Sequence, residues 1–309
     1  MRRVVATRIA SGLGHQMFQY AIARRLARKT HAELFLLVHQ RSDLGGGRVY
    51  GLTEFAVAGR EVTDEAAIPH GAAVPRLLRA LFPGRATQPP ALRPVRERNV
   101  WDYIGKTVPE QPEGAGTLLF DRDMLSLRGN VLLHGYWQDE RYFADIGATI
   151  RRDFRLRTAL DARNQDALAR IRVGASAFLH VRRGDYLNPQ LIDLFGVCDP
   201  AYYQLALETL RARVGPGVRL FVFSDDPAWV RQQGIGDAHA EVIDWNGARP
   251  ACDLALMRAC DHAIIANSSF SWWGAWLGDR PGRTVIAPRV WFKAVPAFRD
   301  IVPARWLRL

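Results

Sequence analysis

The chain has 309 residues, of which 48% are hydrophobic and 24% are charged. This composition excludes an intrinsically disordered chain, because disorder needs low hydrophobicity beside a high net charge. Collagen-like and disulfide-rich scaffolds are excluded as well. The formal net charge of +11 predicts an anionic partner: a nucleic acid, an acidic membrane surface or a phosphorylated small molecule. An arginine bias that follows genomic base composition is the alternative explanation.

The first half of the chain begins with a strand, a glycine loop and a helix. A strand is predicted over 3–9, a turn over 11–14 and, from apolar residues at helical spacing, a helix over 17–29. Glycines and prolines interrupt residues 40–100, where only a short piece at 76–81 has helical character. The remaining elements predicted in this half are strands over 33–38 and 131–136 and a helix around 139–150.

The second half alternates regularly between strands and helices. Strands are predicted over 176–181, 219–223, 241–243, 263–266 and 284–287. Helices are predicted over 200–213, 227–233, 252–259 and 271–277. Repeated βα units predict a parallel sheet with helices on both faces and ligands at the carboxyl ends of the strands. The expected fold class is therefore α/β, with two domains that meet near residues 150–165.

The cysteines and the hydropathy pattern predict a compartment. Cys198, Cys252 and Cys260 are few, odd in number and without CxxC spacing, which favours a reducing environment and argues against a zinc site. The apolar stretch at the N-terminus is too short for a signal peptide, and no run approaches the roughly 20 apolar residues of a membrane span. The sequence predicts a cytoplasmic protein, with contact to a membrane surface as a hypothesis.

The segment 178–186 reads FLHVRRGDY and ends a predicted strand. Because side chains alternate along a strand, His180 and Arg182 are expected on one face. Arg can bind phosphate oxygens with two parallel hydrogen bonds, so Arg182 is a candidate for an anionic group in a cleft. For Arg183 we favour an ordinary surface ion pair with Asp185.

Two further strand ends carry polar residues. In the segment 264–274, Ser268, Ser269 or Ser271 is expected to cap a helix, whose free N–H groups could also bind an anion. The tryptophans 272, 273 and 276 are interpreted as packing residues. After the strand at 219–223, Asp225 could accept hydrogen bonds from a ribose or a guanine edge, while Asp226 is expected to cap the next helix. These adjacent carboxylates point apart, which argues against a shared metal.

Near the N-terminus, Gly12 and Gly14 form a weak GxG pattern that opens a helix. Glycines there permit close backbone approach to a ligand, and an ordinary tight turn is the equally favoured alternative.

Together these segments resemble glycosyltransferase family 11, the α-1,2-fucosyltransferases, over most of the chain. The motifs that carry the resemblance are GLGHQMFQYA at 12–21, GYWQDERYF at 135–143, HVRRGDY at 180–186, FSDDPAW at 223–229 and NSSFSWWGAWL at 267–277. The combination of the third and fifth motifs is highly specific. Residues 40–100 are not convincingly covered.

The resemblance implies a GT-B fold with two Rossmann-like α/β domains facing a cleft. Residues 1–155 would form the acceptor-side domain and 156–309 the domain that binds the GDP-sugar donor. It also implies transfer of fucose from GDP-fucose with inversion, without a metal or other cofactor. Arg182 would hold the donor diphosphate, approached from the other domain by the loop at 12–16. The other residues expected to shape the donor pocket are His180, Asp185, Asp225, Asn267, Ser268, Ser269 and Phe270.

The sequence departs from the family pattern at two positions of the N-terminal loop. The family usually has Gly at the position of Ser11, and Asn at that of His15. His15 can still donate a hydrogen bond, and in its protonated form it would add positive charge to the site. We therefore hypothesise that His15 contributes to catalysis with some dependence on pH, or that its presence reflects a changed donor or acceptor.

The expected catalytic residues are Arg182, Asp185 and His15. Arg182 and His15 would stabilise the departing diphosphate, and preorganised donors of this kind often provide the largest rate term. Asp185 is the first candidate for a general base, with orientation of Arg182 as its alternative role.

The acceptor is expected to be a galactose-containing oligosaccharide or a lipid-linked glycan, bound near Tyr136, Trp137 and Gln138. Three alternatives remain: transfer of another deoxysugar from its GDP form, a noncatalytic sugar-nucleotide sensor, and a nucleic-acid-binding protein. The last is disfavoured, because the arginines are scattered and no basic stripe with stacking aromatics is visible. The charge excess would then serve contact with an anionic membrane.

Overall fold

The computed structural model of the protein describes residues 3–41, 47–69, 92–97, 120–294 and 301–309. The described part divides into two units, each built around one parallel β-sheet. The first unit holds the residues up to Asp153, except for Glu54–Ala56. The second unit holds Phe154–Leu309 together with Glu54–Ala56, which pairs with the chain around Leu156 through an isolated antiparallel bridge.

The sheet of the first unit has the strand order β3-β2-β1-β5-β4, and all its pairs are parallel. Its strands are β1 (Val4–Arg8), β2 (Glu33–Leu37), β3 (Arg60–Val62), β4 (Arg93–Arg96) and β5 (Val131–His134). The described α-helices are α1 (Leu13–Thr30) and α2 (Gly147–Asp153). Short 3-10 turns occur at Leu52–Glu54, Glu65–Ala67, Arg122–Ser126, Glu140–Tyr142 and Ala144–Ile146.

The core of the first unit lies on both faces of this sheet. Helix α1 packs against β1 and β2 and buries Met17 and Phe18 completely. A cluster of buried apolar residues in this unit consists of Val4, Ala6, Phe35, Leu37, Ile68, Leu92 and Leu132. Tyr20 joins α1 to the end of α2, because its hydroxyl donates to Asp153 over 2.7 Å. Strands β1, β2 and β5 are buried almost throughout, as expected for parallel strands covered on both faces.

Three sequence-based boundaries in the first unit are wrong. Helix α1 begins four residues before the predicted start at 17, so Gly14 lies in its first turn rather than in a loop. Strand β5 ends at His134 instead of at 136. The helix predicted around 139–150 is instead two 3-10 turns followed by α2, because Phe143 has an extended φ of −147° that interrupts the helical path. The helical piece at 76–81 lies outside the described residues.

The sheet of the second unit has the order β11-β10-β9-β6-β7-β8 and is also parallel throughout. Its strands are β6 (Ser176–Val181), β7 (Arg219–Ser224), β8 (Glu241–Ile243), β9 (His262–Ile264), β10 (Val285–Ala287) and β11 (Leu307–Arg308). Its helices are α3 (Ala162–Ile171), α4 (Pro189–Phe195), α5 (Pro200–Val214), α6 (Pro227–Gln232), α7 (Pro250–Ala259) and α8 (Ser269–Leu277).

The βα alternation predicted for this half is confirmed. All six residues of β6 are buried, as expected for a central strand covered on both faces. Helices α5 and α6 each follow an Asp whose side chain accepts a backbone N–H, with Pro at the start of the helix. The predicted role of Asp226 as a helix cap is therefore confirmed. Sequence reasoning missed α3, α4 and β11.

Candidate active site

The carboxyl end of β6 places Arg182 between two carboxylates. Its Nη2 lies 2.6 Å from Asp185 Oδ1, and its Nη1 lies 3.1 Å from Asp225 Oδ2. The guanidinium carbon also stands 5.5 Å from the centre of the Tyr186 ring. Burial opposes the charge of Arg182, but the two carboxylates hold its pKa above the ordinary value. The guanidinium is thus charged, oriented and only 19% exposed.

Asp225 reaches Arg182 from the neighbouring strand. The register pairs Val181 of β6 with Ser224 of β7, so the next residue on each strand meets at the same edge. Asp225 Oδ1 also accepts the backbone N–H of Arg183 over 2.9 Å. A Cβ added at Gly184 would lie only 3.0 Å from Asp225 Oδ2, so the absence of a side chain there permits this close approach.

The expected pair between Arg183 and Asp185 is wrong. Arg183 Nε lies 3.4 Å from Asp226 Oδ2, and its guanidinium stands 4.5 Å from the ring centre of Trp229. Asp185 instead pairs with Arg182. The two arginines leave the strand end in different directions and meet different carboxylates, because successive residues of an extended chain face opposite sides.

His180 lies inside the second unit, one residue before the end of β6. It is 3% exposed, and its ring centre is 5.6 Å from that of Phe270. Burial and then the positive charge of Arg182 lower the pKa of His180 to about 3, so the imidazole is neutral near pH 7. Its Nδ1 is buried and has no hydrogen-bond partner among the described residues. A buried ring nitrogen without a partner is costly, and a ligand group or water can relieve that cost.

Asn267, in the segment that follows β9, is held in place by hydrogen bonds of its side chain and its backbone carbonyl. The Asn267 side chain donates to the carbonyls of Phe195 and Trp291 over 2.9 and 3.2 Å, while the backbone carbonyl of Asn267 accepts the Tyr186 hydroxyl over 3.2 Å. Asn267 therefore links α4 and Tyr186 to the start of α8. Its side chain is occupied by these contacts.

Ser268 occupies the N-cap position of α8, but its side chain makes no capping hydrogen bond, so the predicted side-chain cap is wrong. Ser271 does not cap the helix either, because its hydroxyl donates to the carbonyls of Ala266 and Ser268. Ser269 and Phe270 form the first turn of α8 and are partly exposed. The three following tryptophans are almost completely buried, which confirms the packing interpretation for Trp272, Trp273 and Trp276.

In the first unit, the loop after β1 brings together both departures from the family pattern. Ser11 has a φ of +67°, in the left-handed region that favours glycine. Its hydroxyl oxygen lies 2.9 Å from His15 Nδ1. The His15 ring in turn packs at a centroid distance of 4.5 Å from Tyr136, which follows β5. Gly12 is the N-cap of α1, and a Cβ placed there would meet nothing within 4 Å.

Two glutamines of the first motif explain why this loop has a fixed shape. The Gln16 amide donates to the carbonyls of Ser11 and Val49, both over 2.8 Å, and its oxygen accepts the N–H of Gly51. Gln19 accepts the N–H of Ala10 and donates to the carbonyl of Gly135. Sequence reasoning missed both roles, although the polar residues within an apolar helical pattern were visible.

The residues expected near the acceptor are organised by Glu97. Its carboxylate accepts the backbone N–H groups of Tyr136 and Trp137 over 2.5 and 2.7 Å. Trp137 is 1% exposed and packs edge-on against Tyr142, so its ring lies in the interior. Tyr136 and Gln138 are partly exposed. Glu97 was missed because it lies in the region that the sequence left unexplained.

Neither metal clusters nor spanning helices are found in the described part of the chain. No group of three or more His, Cys, Asp or Glu residues among the described residues is arranged to hold a metal ion. The described helices include none that is long and apolar enough to cross a membrane. Cys198, Cys252 and Cys260 are free thiols.

Sequence comparison finds relatives over nearly the whole chain and over about half of it. A model of the family described as glycosyl transferase family 11 matches residues 117–300. An α-1,2-colitosyltransferase of Escherichia coli is 31% identical and aligns with 99% of each chain, and the O-antigen biosynthesis glycosyltransferase WbnK of the same species is 28% identical over 92% of this chain and 93% of its own. The galactoside 2-α-L-fucosyltransferase SEC1 of Bos taurus is 34% identical over 50% of this chain and 44% of its own.

A solved structure supports the fold class. The NodZ α-1,6-fucosyltransferase soaked with GDP-fucose aligns with 90% of this chain and 93% of its own, with a TM-score of 0.52 and 18% sequence identity. At this identity the likeness shows the fold alone. The α/β fold of GT-B type predicted from the sequence is confirmed by this likeness and by the two parallel sheets.

Proposed function

Because the chain belongs to glycosyltransferase family 11 and is a glycosyltransferase that uses a GDP-sugar, we propose that it transfers L-fucose from GDP-fucose to the 2-hydroxyl of a galactoside, with inversion at the anomeric carbon. The single observation that carries the proposal is the arrangement of Arg182 between Asp185 and Asp225 at the carboxyl end of β6. Strand ends of parallel α/β sheets are where ligands bind, and a fixed guanidinium suits a diphosphate.

In the proposed reaction, Arg182 binds the diphosphate of the donor and stabilises the charge that builds up as GDP leaves. The two carboxylates fix the plane of the guanidinium through Nη1 and Nη2, and they leave its other N–H groups for phosphate oxygens. A hydrogen-bond donor group that is already oriented before the reaction loses no energy to reorganisation in the transition state. Asp185 therefore acts by positioning Arg182, and this role replaces the general base that the sequence suggested first.

His180 contributes a neutral hydrogen bond to the donor. Its imidazole is uncharged near pH 7, because burial and the charge of Arg182 lower its pKa to about 3. The unpartnered Nδ1 is the group we assign to the donor sugar-nucleotide. Phe270 limits the space beside this ring. The assignment of Gly12 and His15 to the donor site stays a prediction from the sequence.

The experiment that tests the proposal combines donor screening with a matched pair of variants. We expect the protein to transfer fucose from GDP-fucose to a galactoside, in the presence of EDTA, with an α-1,2 linkage in the product. Arg182→Ala should abolish transfer and weaken GDP binding, measured by calorimetry. Arg183→Ala removes the same charge from the adjacent residue, whose partner is Asp226, and should retain most of the activity. Near-normal turnover by Arg182→Ala would overturn the site assignment.

Transfer of colitose is the second candidate, favoured by the E. coli relative that aligns over nearly the whole chain. The two candidates share the GDP moiety and differ in the sugar, so Arg182 and His180 would serve both. Competition between GDP-fucose and GDP-colitose for one galactoside decides between them. A higher kcat/KM with the colitose donor would replace fucose in the proposal and leave the donor site unchanged.

A further inference from the structure

Three basic side chains end adjacent strands in the first unit. Arg8 is the last residue of β1, His134 the last of β5 and Arg96 the last of β4. The register pairs Arg96 with His134 directly, and it pairs Thr7 with Leu133, which brings Arg8 beside His134. We call these three residues the basic row. Residues in register on parallel strands point to the same face, so the three side chains rise together from one edge of the sheet.

The two arginines of the basic row are exposed, and neither has a carboxylate partner among the described residues. Among the residues that the structure describes, neither Arg8 nor Arg96 forms an ion pair or a hydrogen bond through its side chain. Other arginines of the same unit are paired: Arg25 Nε lies 3.0 Å from Asp145, and Arg24 Nε lies 2.8 Å from Asp153. Arg8 and Arg96 lie on β1 and β4, the two strands that flank β5.

The charges of the row act on the imidazole between them. The pKa of His134 is lowered, first by burial and then by the positive charges of Arg8 and Arg96. Glu65 opposes this effect on the pKa of His134, and His39 adds to it. Near pH 7 the row therefore presents two guanidinium groups on either side of a neutral imidazole. Strands lie about 4.8 Å apart, which separates the two arginine backbones by about 10 Å.

We propose that the basic row binds an oxyanion of the acceptor, either a sugar carboxylate or a phosphate that links the glycan to a carrier. This inference rests on the proposed function. Two long arginine side chains starting about 10 Å apart can converge on one oxyanion above His134, each with charge-assisted hydrogen bonds. The row lies at the edge from which the chain continues into the Ser11–His15 loop and into Tyr136, and carboxyl ends of parallel strands are the binding edge of such sheets.

The acceptor is the better assignment than the donor because the two anions would be held by separate residues. The diphosphate of the donor is assigned to Arg182 in the second unit, which already has its own oriented guanidinium. The basic row belongs to the first unit, as does Tyr136. An acidic acceptor would also supply an anionic group for the exposed arginines to bind, whereas a neutral galactoside would not.

Acceptor kinetics with charge-matched substrates test the inference. The variants are Arg8→Gln, Arg96→Gln and the double variant, compared with Arg93→Gln as control. Arg93 is exposed on the same strand as Arg96, at its opposite end, so its substitution removes an equal charge away from the row. The acceptors are a neutral galactoside, the same galactoside joined to a hexuronic acid, and the same galactoside joined to a lipid-like diphosphate.

The double variant should raise the KM of one acidic acceptor by about 100-fold or more, since each of the two charge-assisted hydrogen bonds that it removes contributes about tenfold or more to the affinity. The affinity for GDP, and kinetics with the neutral galactoside, should remain unchanged. Loss confined to the hexuronic acid identifies a carboxylate, and loss confined to the diphosphate identifies a phosphate. Equal KM values of the wild type for neutral and acidic acceptors would overturn the inference, as would a weaker affinity for GDP in the double variant.

Direct binding separates this inference from the proposed function. Glucuronate and inorganic phosphate are titrated into the wild-type protein, the double variant and Arg93→Gln, while the His134 ring is followed by NMR. Binding that shifts the His134 signals and disappears only in the double variant supports the basic row even if GDP-fucose proves not to be the donor. Absence of any shift in the wild type at millimolar ligand, with transfer to galactosides intact, would refute the row and leave the function standing.

Discussion

The hydrogen bond between Ser11 and His15 should stabilise the first unit, and its contribution can be separated from backbone strain. Ser11 adopts a φ of +67°, where a residue with a Cβ costs roughly 1–2 kcal/mol relative to glycine. The family usually has Gly at this position. The contact of 2.9 Å between Ser11 Oγ and His15 Nδ1 offsets this cost by contributing about 1 kcal/mol to the free energy of unfolding, the typical net value of a neutral hydrogen bond.

Four proteins form the cycle that measures this bond: wild type, Ser11→Ala, His15→Phe and the double variant. Ala keeps the Cβ and its strain but lacks the hydroxyl. Phe keeps an aromatic ring against Tyr136, which lies 4.5 Å from the His15 ring centre, but lacks the ring nitrogen. Strain and stacking therefore cancel in the cycle, and a coupling free energy of about 1 kcal/mol should remain.

Ser11→Gly provides the complementary measurement. It loses the same hydrogen bond as Ser11→Ala but relieves the strain. The flexibility of Gly in the unfolded chain then lowers the free energy of unfolding by about 0.5–1 kcal/mol. Ser11→Gly should therefore be the more stable of the two variants, by up to about 1 kcal/mol. Urea unfolding followed by circular dichroism measures each free energy. Additivity of the cycle within about 0.3 kcal/mol would show that the bond does not contribute. A Gly variant that is less stable than the Ala variant by about 0.5–1 kcal/mol, the loss expected from chain flexibility alone, would refute the strain.

Three further outcomes follow from the second unit. Burial raises the pKa of Asp253 from 3.8 to about 7, against the effect of its hydrogen bond from Asn246, so the folded protein holds a proton that the unfolded chain releases above about pH 4. The free energy of unfolding should fall as pH rises from 4 through 7, and the two pKa values set this fall at about 4 kcal/mol. Asp253→Asn should remove the fall, which urea unfolding at each pH measures. Parallel pH curves for the variant and the wild type would contradict this prediction. Asp225→Asn, which breaks the ion pair with Arg182, should change the affinity for GDP by about 10-fold or more in calorimetry. Asp226→Asn keeps a good helix cap and loses only a long ion pair, so its affinity for GDP should stay within about 3-fold of wild type, and equal effects of the two variants would contradict the assignment.

The fold of the second unit could be predicted because buried parallel strands are visible as apolar runs. Strand β6 was predicted at its observed bounds, Ser176–Val181, and all its residues are buried. Strand β4 shows the opposite case. It is an edge strand with a central Pro94 and two exposed arginines, so it has no apolar pattern and is held by its pairing with β5.

The candidate site shows the same division between local and long-range information. The sequence placed Arg182 at a strand end, because the strand and its end are local features. It paired Arg183 with Asp185 instead of Asp226, since the actual partner depends on the register of β6 and β7. Glu97 was invisible for the same reason: its carboxylate binds backbone N–H groups about 40 positions away along the chain.

Specificity for the acceptor should depend mainly on the first unit. The match to the family model begins at residue 117, and Arg8, Ser11, His15 and Arg96 all lie before it. The residues assigned to the GDP moiety, led by Arg182, lie within the matched range. A glycosyltransferase that keeps its donor specificity but changes its acceptor is expected to differ from its relatives in the residues that bind the acceptor. Ser11 and His15, which are bonded to each other, are the departures from the family pattern that can be exchanged, one at a time, for the usual Gly and Asn.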